Sequence, residues 1–546
     1  MGSLSEMLSA AISKAVRFPA LGRRKDGGAG VSLVSPPSVA AAFLAATVLL
    51  YAAAAAAEGT RLLHEVAEPR KIPPGAPPPS AVCFSTRWER PRDGDDPHDS
   101  FRTAAAFHAT HFVWVYSLHE EFVAAVKDGG YGFQGAINSV SPDWPEMTRR
   151  RGRILDLDGR PVAAPWMRGW EGYWGCVNSP DWRTSYLAYA KRSIDVGAES
   201  LQMDDPPCNF AAVAWGGCFC RHCMAGFPAH LAAATTPAER AEMGLEDLDA
   251  FDYGEYLRAA GAPVGDAFAR WNDPLKPHFI EFQRQSVADF YAWVRPEIDR
   301  HAGRRVPMSS NNYDGRWSFP YDLFDFGMAE LPPRSATPAA LYERFAAAHD
   351  RGKTQVFTFV SDDPALTRRV IATSYACGGH TIVPWDVYMG SDVPRYFGRP
   401  EDYADLYRFV RDHADLIDGY EDAAFALPGT ADPRHGERPP AAIRRAEEVS
   451  AFVRAAPGQA AADVVVHLVD WSDRPQGFRL ELDGEPFFAA GRLALTLLRP
   501  GHPPEPLEAA ESDSPTILVD LPPLEPWGIV RVSVDKDGVS PSATPH

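Results

Sequence analysis

The chain has 546 residues, of which 45% are hydrophobic and 11% aromatic, a composition typical of a globular protein. This length exceeds that of a single ordinary core, so we expect two domains and an appendage. The formal net charge of −18 argues against nucleic acid as a partner, because phosphate binding requires clustered cations, and it favours neutral ligands.

The first elements in chain order are a cationic tail over 1–37 and an apolar segment over 38–57 that is long enough to span a bilayer. Because the cations lie on the amino side, the pattern predicts a single-pass signal anchor with a cytoplasmic tail and a catalytic domain on the extracytoplasmic or lumenal side of the membrane. A cleaved signal peptide and secretion are the alternative. Residues 58–79 are predicted to form a stiff Pro-rich linker.

Residues 80–420 alternate between strand-like apolar runs and helix-like amphipathic runs, which predicts right-handed crossovers and a parallel sheet. Eight candidate strands match a closed (β/α)8 TIM barrel. Residues 206–276 are too long for a simple loop and are predicted to form an inserted lid subdomain. The candidate strands are Ala81–Thr86, His111–Ser117, Tyr131–Asn138, Ser200–Asp204, Val306–Asn311, Asp325–Leu331, Gln355–Ser361 and Thr381–Val387. The clearest helices are Trp182–Val196, Pro277–His301, Pro338–Arg351, Pro364–Cys377 and Tyr403–Ile417.

The pattern changes after residue 420 to short strands separated by Pro, Gly and Asp. This change predicts an α/β barrel followed by a C-terminal antiparallel β-sandwich over 421–538, with a disordered tail over 539–546. Its candidate strands are Asp463–Leu468, Phe478–Leu482, Leu493–Leu498 and Ile529–Val534.

The segment Gly197–Pro207 has the pattern of a short buried strand that ends on two adjacent carboxyl groups, Asp204 and Asp205. In a parallel α/β protein, the carboxyl end of a strand is where side chains enter a shared crevice, so chemistry is expected there. Burial and like charge are expected to raise at least one of the two pKa values, as a general acid requires. The alternative is that either residue merely caps the following helix.

Polar residues also end the other candidate strands, and a barrel gathers those ends into one ring. Glu330 on the sixth strand can therefore face Asp204 across a bound sugar, and glycosidic cleavage needs two carboxyl groups. We predict Glu330 as proton donor and Asp204 as nucleophile or base, with a structural ion pair to Arg334 as the alternative for Glu330. The predicted substrate-binding residues are Arg87, Trp88, Trp170, Trp174, Asn311, Asn312, Asp362, Trp385 and Asp386. Turn formation and helix capping are the alternatives for the Asn residues and for Asp362.

Cysteines are concentrated in the predicted lid, at Cys208, Cys218, Cys220 and Cys223. Their spacing allows thiolates to converge on a closed tetrahedral structural zinc site, with Cys176 as an alternative fourth ligand. Disulfides are the alternative, and an oxidising compartment would favour them. No cofactor is required for the predicted chemistry itself.

Three segments resemble the glycoside hydrolase (β/α)8-barrel superfamily, especially its uncharacterised glycosidase-like and beta-galactosidase-like members. They are Asp181–Tyr186 at a helix start, the strand Gly197–Asp205, and the cysteine segment Cys218–Phe227. The cysteine segment is similar to that of family forty-two beta-galactosidases, in which the cysteines hold a zinc ion beside the active site. The resemblance covers the barrel and implies a glycoside hydrolase with a trailing β-domain.

The strand ends depart from the beta-galactosidase pattern of Asn-Glu on strand four and Glu on strand seven. This chain has Asp204 and Asp205 on strand four and Asp362 after strand seven. An Asp on strand four with an acid on strand six looks more like the alpha-galactosidase-like and dextranase-like families. That likeness implies Asp204, or else Asp205, as nucleophile and Glu330 as proton donor.

Together, these features predict a glycoside hydrolase that cleaves an oligo- or polysaccharide, with retention favoured over inversion. Two other hypotheses stay open. The first is a non-catalytic carbohydrate-binding barrel, and the second is a zinc-dependent hydrolase that uses the cysteine cluster.

Overall fold

The structure, a computed structural model, describes residues 70–86, 99–139, 151–170, 172–207, 209–245, 247–359, 361–385, 398–435, 440–457, 463–483, 493–508 and 516–534. All of them belong to one unit of the chain, Thr60–His546. The predicted tail, the apolar segment over 38–57 and the C-terminal tail lie outside the described residues. Among the residues described, no helix combines the length and the apolar character needed to cross a membrane.

Eight parallel strands follow one another around a barrel in sequence order. The ring closes where the Val383 amide donates to the Cys83 carbonyl at 2.9 Å. The strands are β1 (Cys83–Phe84), β2 (His111–Val115), β3 (Gly132–Asn138), β4 (Ser200–Asp204), β5 (Met308–Asn311), β6 (Phe326–Leu331), β7 (Gln355–Phe359) and β8 (His380–Thr381). The predicted (β/α)8 barrel is confirmed, and each strand overlaps its predicted segment, although β8 shares only Thr381 with the predicted Thr381–Val387.

Helices pack around the barrel and in its insertion. The longest, Lys276–Ala302, buries residues at spacings of three and four from Phe279 to Ile298, and it ends at Gly303, whose φ of +65° is the left-handed conformation of a helix C-cap. The described helices are α1 (Ser100–Ala106), α2 (Glu120–Asp128), α3 (Pro180–Asp195), α4 (Asn209–Ala212), α5 (Arg221–Ala234), α6 (Pro237–Glu242), α7 (Tyr253–Ala259), α8 (Lys276–Ala302), α9 (Pro338–His349), α10 (Pro364–Ala376) and α11 (Pro400–Asp412).

The two faces of the barrel strands have separate cores. Side chains such as Ala136, Met328 and Val356 come from different strands and fill one cluster inside the barrel. Leu201 and Phe357 belong to a larger cluster between the strands and the surrounding helices. Because strand side chains alternate between faces, this division tells which residues point toward the barrel axis.

The lid is built from two separate parts of the chain. Residues 209–275 contribute helices α4 to α7, and residues 151–179, between β3 and α3, contribute a loop with three isolated antiparallel bridges. Ile154 and Trp174 of that loop share a core with Phe219 and Phe227 of the helical part. The sequence predicted the helical part of the lid, residues 209–275, but not the contribution of the β3–α3 loop.

The residues after the barrel form two antiparallel sheets that share one core. The strands are β9 (Glu421–Leu427), β10 (Thr430–Ala431), β11 (Ala441–Arg444), β12 (Val449–Ala455), β13 (Val464–Asp470), β14 (Phe478–Asp483), β15 (Leu493–Leu498), β16 (Glu505–Leu507), β17 (Thr516–Leu521) and β18 (Trp527–Val534). One sheet has the order β10-β9-β12-β13-β18-β15-β16 and the other β11-β14-β17. Burial alternates strictly along β14, as expected of a strand with one face on a core. The predicted β-sandwich is confirmed.

A buried charged cluster joins the barrel to the β-domain. The Arg70 guanidinium lies 2.8 Å from the Glu421 carboxylate, and both side chains are almost fully buried. Arg70 Nη1 also lies 2.8 Å from His349 Nε2, and burial lowers the pKa of His349, so the neutral imidazole accepts this hydrogen bond. Arg454 lies 3.8 Å from Glu421 and donates to the Tyr420 carbonyl at 2.6 Å.

Candidate active site

The carboxyl ends of four neighbouring strands present polar side chains at the mouth of the barrel. Asn138 ends β3 and is the register partner of Asp204, which ends β4. Asn311 ends β5, and Glu330 is the penultimate residue of β6. Asn138 and Glu330 each come two residues after a member of the interior cluster, so they lie on the strand face that points toward the barrel axis.

The side-chain amide of Asn311 connects Asp204 and Glu330, the two carboxyl groups that the sequence predicts to be catalytic. Asn311 Nδ2 donates to Asp204 Oδ1 at 3.1 Å and to Glu330 Oε2 at 3.3 Å. Asn311 Oδ1 accepts from the backbone N–H of Tyr313 at 3.4 Å, which orients the amide nitrogen toward the acids. The acids of the fourth and sixth strands therefore share one site.

Hydrogen-bond donors surround the buried Asp204 carboxyl group. The Tyr116 hydroxyl donates to Oδ2, and the backbone N–H of Asp205 donates to Oδ1 at 2.9 Å. Burial raises the pKa of Asp204, the hydrogen bond from Tyr116 opposes that rise, and the negative charge of Glu330 adds to it. Burial also raises the pKa of Tyr116, followed by the charge of Asp204, so the phenol stays protonated and donates.

Tyr116 and Asn138 are members of this site that the sequence analysis missed. Tyr116 follows β2 after an irregularity, because the register between β2 and β3 shifts after Phe112 and Trp114 has a φ of +58°. Such irregularities re-aim the side chains that follow them. The signal was present in the sequence, since both residues are hydrogen-bonding side chains at the end of a predicted strand.

Asp205 occupies a left-handed turn beside Asp204. Its φ is +41°, a conformation that costs a non-glycine residue about 1 kcal/mol or more. Its Oδ2 accepts from Asn138 Nδ2 at 3.0 Å and from Trp166 Nε1 at 3.4 Å. Burial, followed by the charge of Asp204, raises the pKa of Asp205 well above its ordinary value.

Three indoles of the lid pack together beside Asp205. Trp174 and Trp215 are stacked, with ring centroids 5.7 Å apart and planes inclined by 5°. Trp166 meets both rings edge to face at 5.7 Å, and its own side chain is 54% exposed. Trp174 is buried, so the ring that this cluster presents to solvent is that of Trp166 rather than that of the predicted Trp174.

The structure places the other predicted substrate-binding residues in different surroundings. Trp385 is buried and stacks on Phe84 at 5.1 Å, so its ring belongs to the core. Asn312 is buried and pairs with Gln355, away from the acids. Asp362 is exposed, and the residue that caps α10 is its neighbour Asp363. Arg87, Trp88, Asp386 and the side chain of Trp170 lie outside the described residues.

The cysteines of the lid converge on one buried point. Cys176, Cys218, Cys220 and Cys223 have sulfur atoms that all lie within 4.8 Å of one another. Cys176 Sγ is 3.5 Å from the sulfurs of Cys218 and Cys223 and 3.6 Å from that of Cys220. The predicted member Cys208 lies outside the described residues, and its alternative, Cys176, is the fourth member of the cluster.

These distances fit a tetrahedral metal site and do not fit disulfides. A Zn–S bond of about 2.3 Å places tetrahedral sulfurs about 3.8 Å apart, whereas bonded sulfurs are about 2.05 Å apart. All four cysteines are free thiols in the structure. Asn178 and Asn209 point amide nitrogens at Cys223 and Cys176, at 3.3 and 3.4 Å, as donors to metal-bound thiolates do.

Comparison with known proteins identifies two similar curated enzymes, and no family model matches the chain. An alpha-agarase of Alteromonas agarilytica is 24% identical over 388 residues, which are 61% of this chain and 26% of that enzyme. An alpha-agarase of Thalassotalea agarivorans is 27% identical over 340 residues, which are 56% of this chain and 22% of that enzyme. The matched part thus spans about a quarter of the length of these relatives.

A solved structure with the same architecture is a Paenibacillus sp. cycloisomaltooligosaccharide glucanotransferase in complex with cycloisomaltoheptaose. It superposes with a TM-score of 0.52 at 9% sequence identity and covers 83% of this chain and 85% of its own. At this identity the likeness concerns the fold alone. The similarity to the alpha-agarases, together with the shared barrel fold, supports membership of the glycoside hydrolase (β/α)8-barrel superfamily.

Proposed function

We propose that this chain is a glycoside hydrolase that cleaves O-glycosidic bonds of an oligo- or polysaccharide with Asp204 and Glu330 as its two catalytic carboxyl groups. The observation that carries the proposal is the Asn311 amide, which hydrogen-bonds to both groups at the barrel mouth. An enzyme of this kind needs one carboxyl group to protonate the leaving oxygen and another to act at the anomeric carbon.

The spacing of the two groups favours a retaining mechanism. Oxygens at 3.1 and 3.3 Å from one nitrogen are at most about 6.4 Å apart, and about 5.5 Å apart when each lies along one of the two amide N–H bonds, which diverge by about 120°. Retaining enzymes have carboxyl groups about 5–5.5 Å apart, whereas inverting enzymes need at least about 6.5 Å to admit a water molecule.

In the proposed first step, an Asp204 oxygen attacks the anomeric carbon while Glu330 gives its proton to the departing glycosidic oxygen. In the second step, Glu330 takes a proton from water, whose oxygen displaces Asp204 and restores the original configuration. Tyr116 and Asn311 stabilise the ionised form of Asp204, which the attack requires. Asp205 is a positioning residue in this scheme, since its backbone N–H donates to Asp204.

We propose a galactan of the agarose type as the first substrate to test. The support is the similarity to two alpha-agarases, which covers more than half of this chain. The formal net charge of −18 also favours a neutral polymer over an acidic one, because an acidic polymer would be repelled.

We propose a structural role for zinc at Cys176, Cys218, Cys220 and Cys223. Four sulfur ligands close a tetrahedron and leave no position for water or substrate, so this cluster is unsuited to a catalytic zinc. Bound there, a zinc ion would cross-link the β3–α3 loop, which carries Cys176, to the helical part of the lid. It would thereby hold Trp166 in place, and it takes no part in the proposed bond cleavage.

The test is a hydrolysis assay on agarose and a panel of other polysaccharides and chromogenic glycosides. Asp204→Asn and Glu330→Gln are expected to lower kcat by about a hundredfold or more, whereas Glu343→Gln, an exposed control on α9, retains parental turnover. NMR of the first product gives its anomeric configuration, and an inverted product would contradict the proposed roles. Saccharide binding without cleavage by the parent would instead establish the carbohydrate-binding alternative.

A further inference from the structure

Large hydrophobic side chains that are exposed are rare in the described part of the chain, and two of them belong to residues that hydrogen-bond to the site. The exposed fraction is 62% for Tyr313, 54% for Trp166 and 37% for Val264. Trp166 contacts Asp205, and Tyr313 comes two residues after Asn311. Aromatic rings left in solvent beside a polar site commonly mark a surface that a ligand covers.

Trp166 is held rigidly although it is exposed. Its edge-to-face contacts with Trp174 and Trp215 support the ring from below, and its Nε1 donates to Asp205. A preorganised ring binds a ligand without the entropic cost of ordering a flexible side chain. The exposed face of this indole is therefore suited to stacking on the apolar face of a sugar.

Tyr313 lies in a constrained backbone turn. Tyr313 and Asp314 both have left-handed φ values, +40° and +61°. The Arg344 guanidinium anchors this turn through the Asp314 carboxylate at 2.9 and 3.1 Å and the Asp314 carbonyl at 3.2 Å. Two non-glycine residues in this conformation cost about 1 kcal/mol or more each, and such strain concentrates at ligand sites.

We propose that Trp166 and Tyr313 are the aromatic faces of two separate sugar-binding subsites, one on each side of Asp204 in the order of strands around the mouth. The ligand is an unbranched run of neutral sugar rings that reaches both side chains while one linkage lies at the acids. This inference deepens the proposed function and rests on it for the position of the cleaved bond. The two subsites make the number of sugar rings in the ligand the main determinant of its affinity.

The experiment measures kcat and KM of Trp166→Ala and Tyr313→Ala on agarose oligosaccharides of two, four and six rings. Removal of one stacking contact is expected to raise KM about tenfold for the hexasaccharide, with a smaller effect on the disaccharide, which cannot reach both rings. Trp166→Phe and Tyr313→Phe keep a ring and are expected to recover most of the affinity. Val264→Ala is the matched control, the third exposed large hydrophobic residue of the described part of the chain, and is expected to keep parental constants.

Calorimetric titration of the same oligosaccharides separates this inference from the proposed function. If the parent cleaves the hexasaccharide and both alanine variants match it at every length, the inference is wrong while the proposed function stands. If the parent binds without cleavage and the alanine variants bind about tenfold more weakly, the subsites are supported and the catalytic proposal falls. Far-ultraviolet circular dichroism confirms that each variant is folded, and the phenylalanine variants decide the outcome if an alanine variant is not.

Discussion

Asn311→Leu tests the central contact of the site, because leucine keeps the approximate volume and removes the amide that both acids share. A hydrogen bond to a charged group contributes about 1.5–3 kcal/mol. Without the amide, the ionised form of Asp204 loses a hydrogen-bond donor.

We therefore expect kcat/KM of Asn311→Leu to fall about tenfold to a hundredfold. The acid limb of its pH profile should move upward by about 1–2 pH units, because loss of a donor disfavours ionised Asp204. The assay is kcat/KM between pH 4 and 9, with the exposed Asn272→Leu as control. A variant with the parental kcat/KM and an unshifted acid limb would refute the shared role of the amide.

Three further predictions follow from the site and the lid. Tyr116→Phe should lower kcat about tenfold or more with little change in KM, since its hydroxyl donates to Asp204; parental kcat in a variant that circular dichroism shows to be folded would contradict this role. Asp205→Asn should raise the melting temperature at neutral pH, because the folded-state pKa of Asp205 is raised and its ionised form destabilises the fold. This gain in melting temperature should vanish as the pH falls toward the ordinary carboxyl pKa, and a gain that persists there would contradict this account. Cys176→Ser should lower both the zinc content measured by elemental analysis and the melting temperature, and purified parent protein free of metal would exclude the zinc site.

The fold was largely predictable because its strands are bounded by turns and alternate with long amphipathic helices. The barrel and the β-sandwich both follow from that spacing of strands, helices and turns. Helix α1 (Ser100–Ala106) was missed because seven residues with three consecutive alanines carry little periodicity. The contribution of residues 151–179 to the lid was also missed, since isolated bridges leave no repeating pattern in the sequence.

The site was predictable where strand order alone brings residues together, as for Asp204, Asn311 and Glu330. It was not predictable where placement depends on packing within loops. Trp166 and Trp174 are equivalent in the sequence, yet stacking on Trp215 buries one and exposes the other. The relatives are alpha-agarases, so the specific likeness to family forty-two beta-galactosidases stays a prediction.

The Arg70–Glu421 pair determines how this protein can be divided or recombined. Arg70 precedes the first barrel strand, whereas Glu421 is the first residue of β9. A barrel cut off after residue 420 would keep a buried guanidinium with its counter-ion gone, a change that typically costs about 3–5 kcal/mol. The cut would also expose Phe409 to solvent, because it removes Trp527, on which Phe409 packs edge to face. Any foreign β-domain grafted onto this barrel must therefore supply a carboxylate and an indole at the same two places.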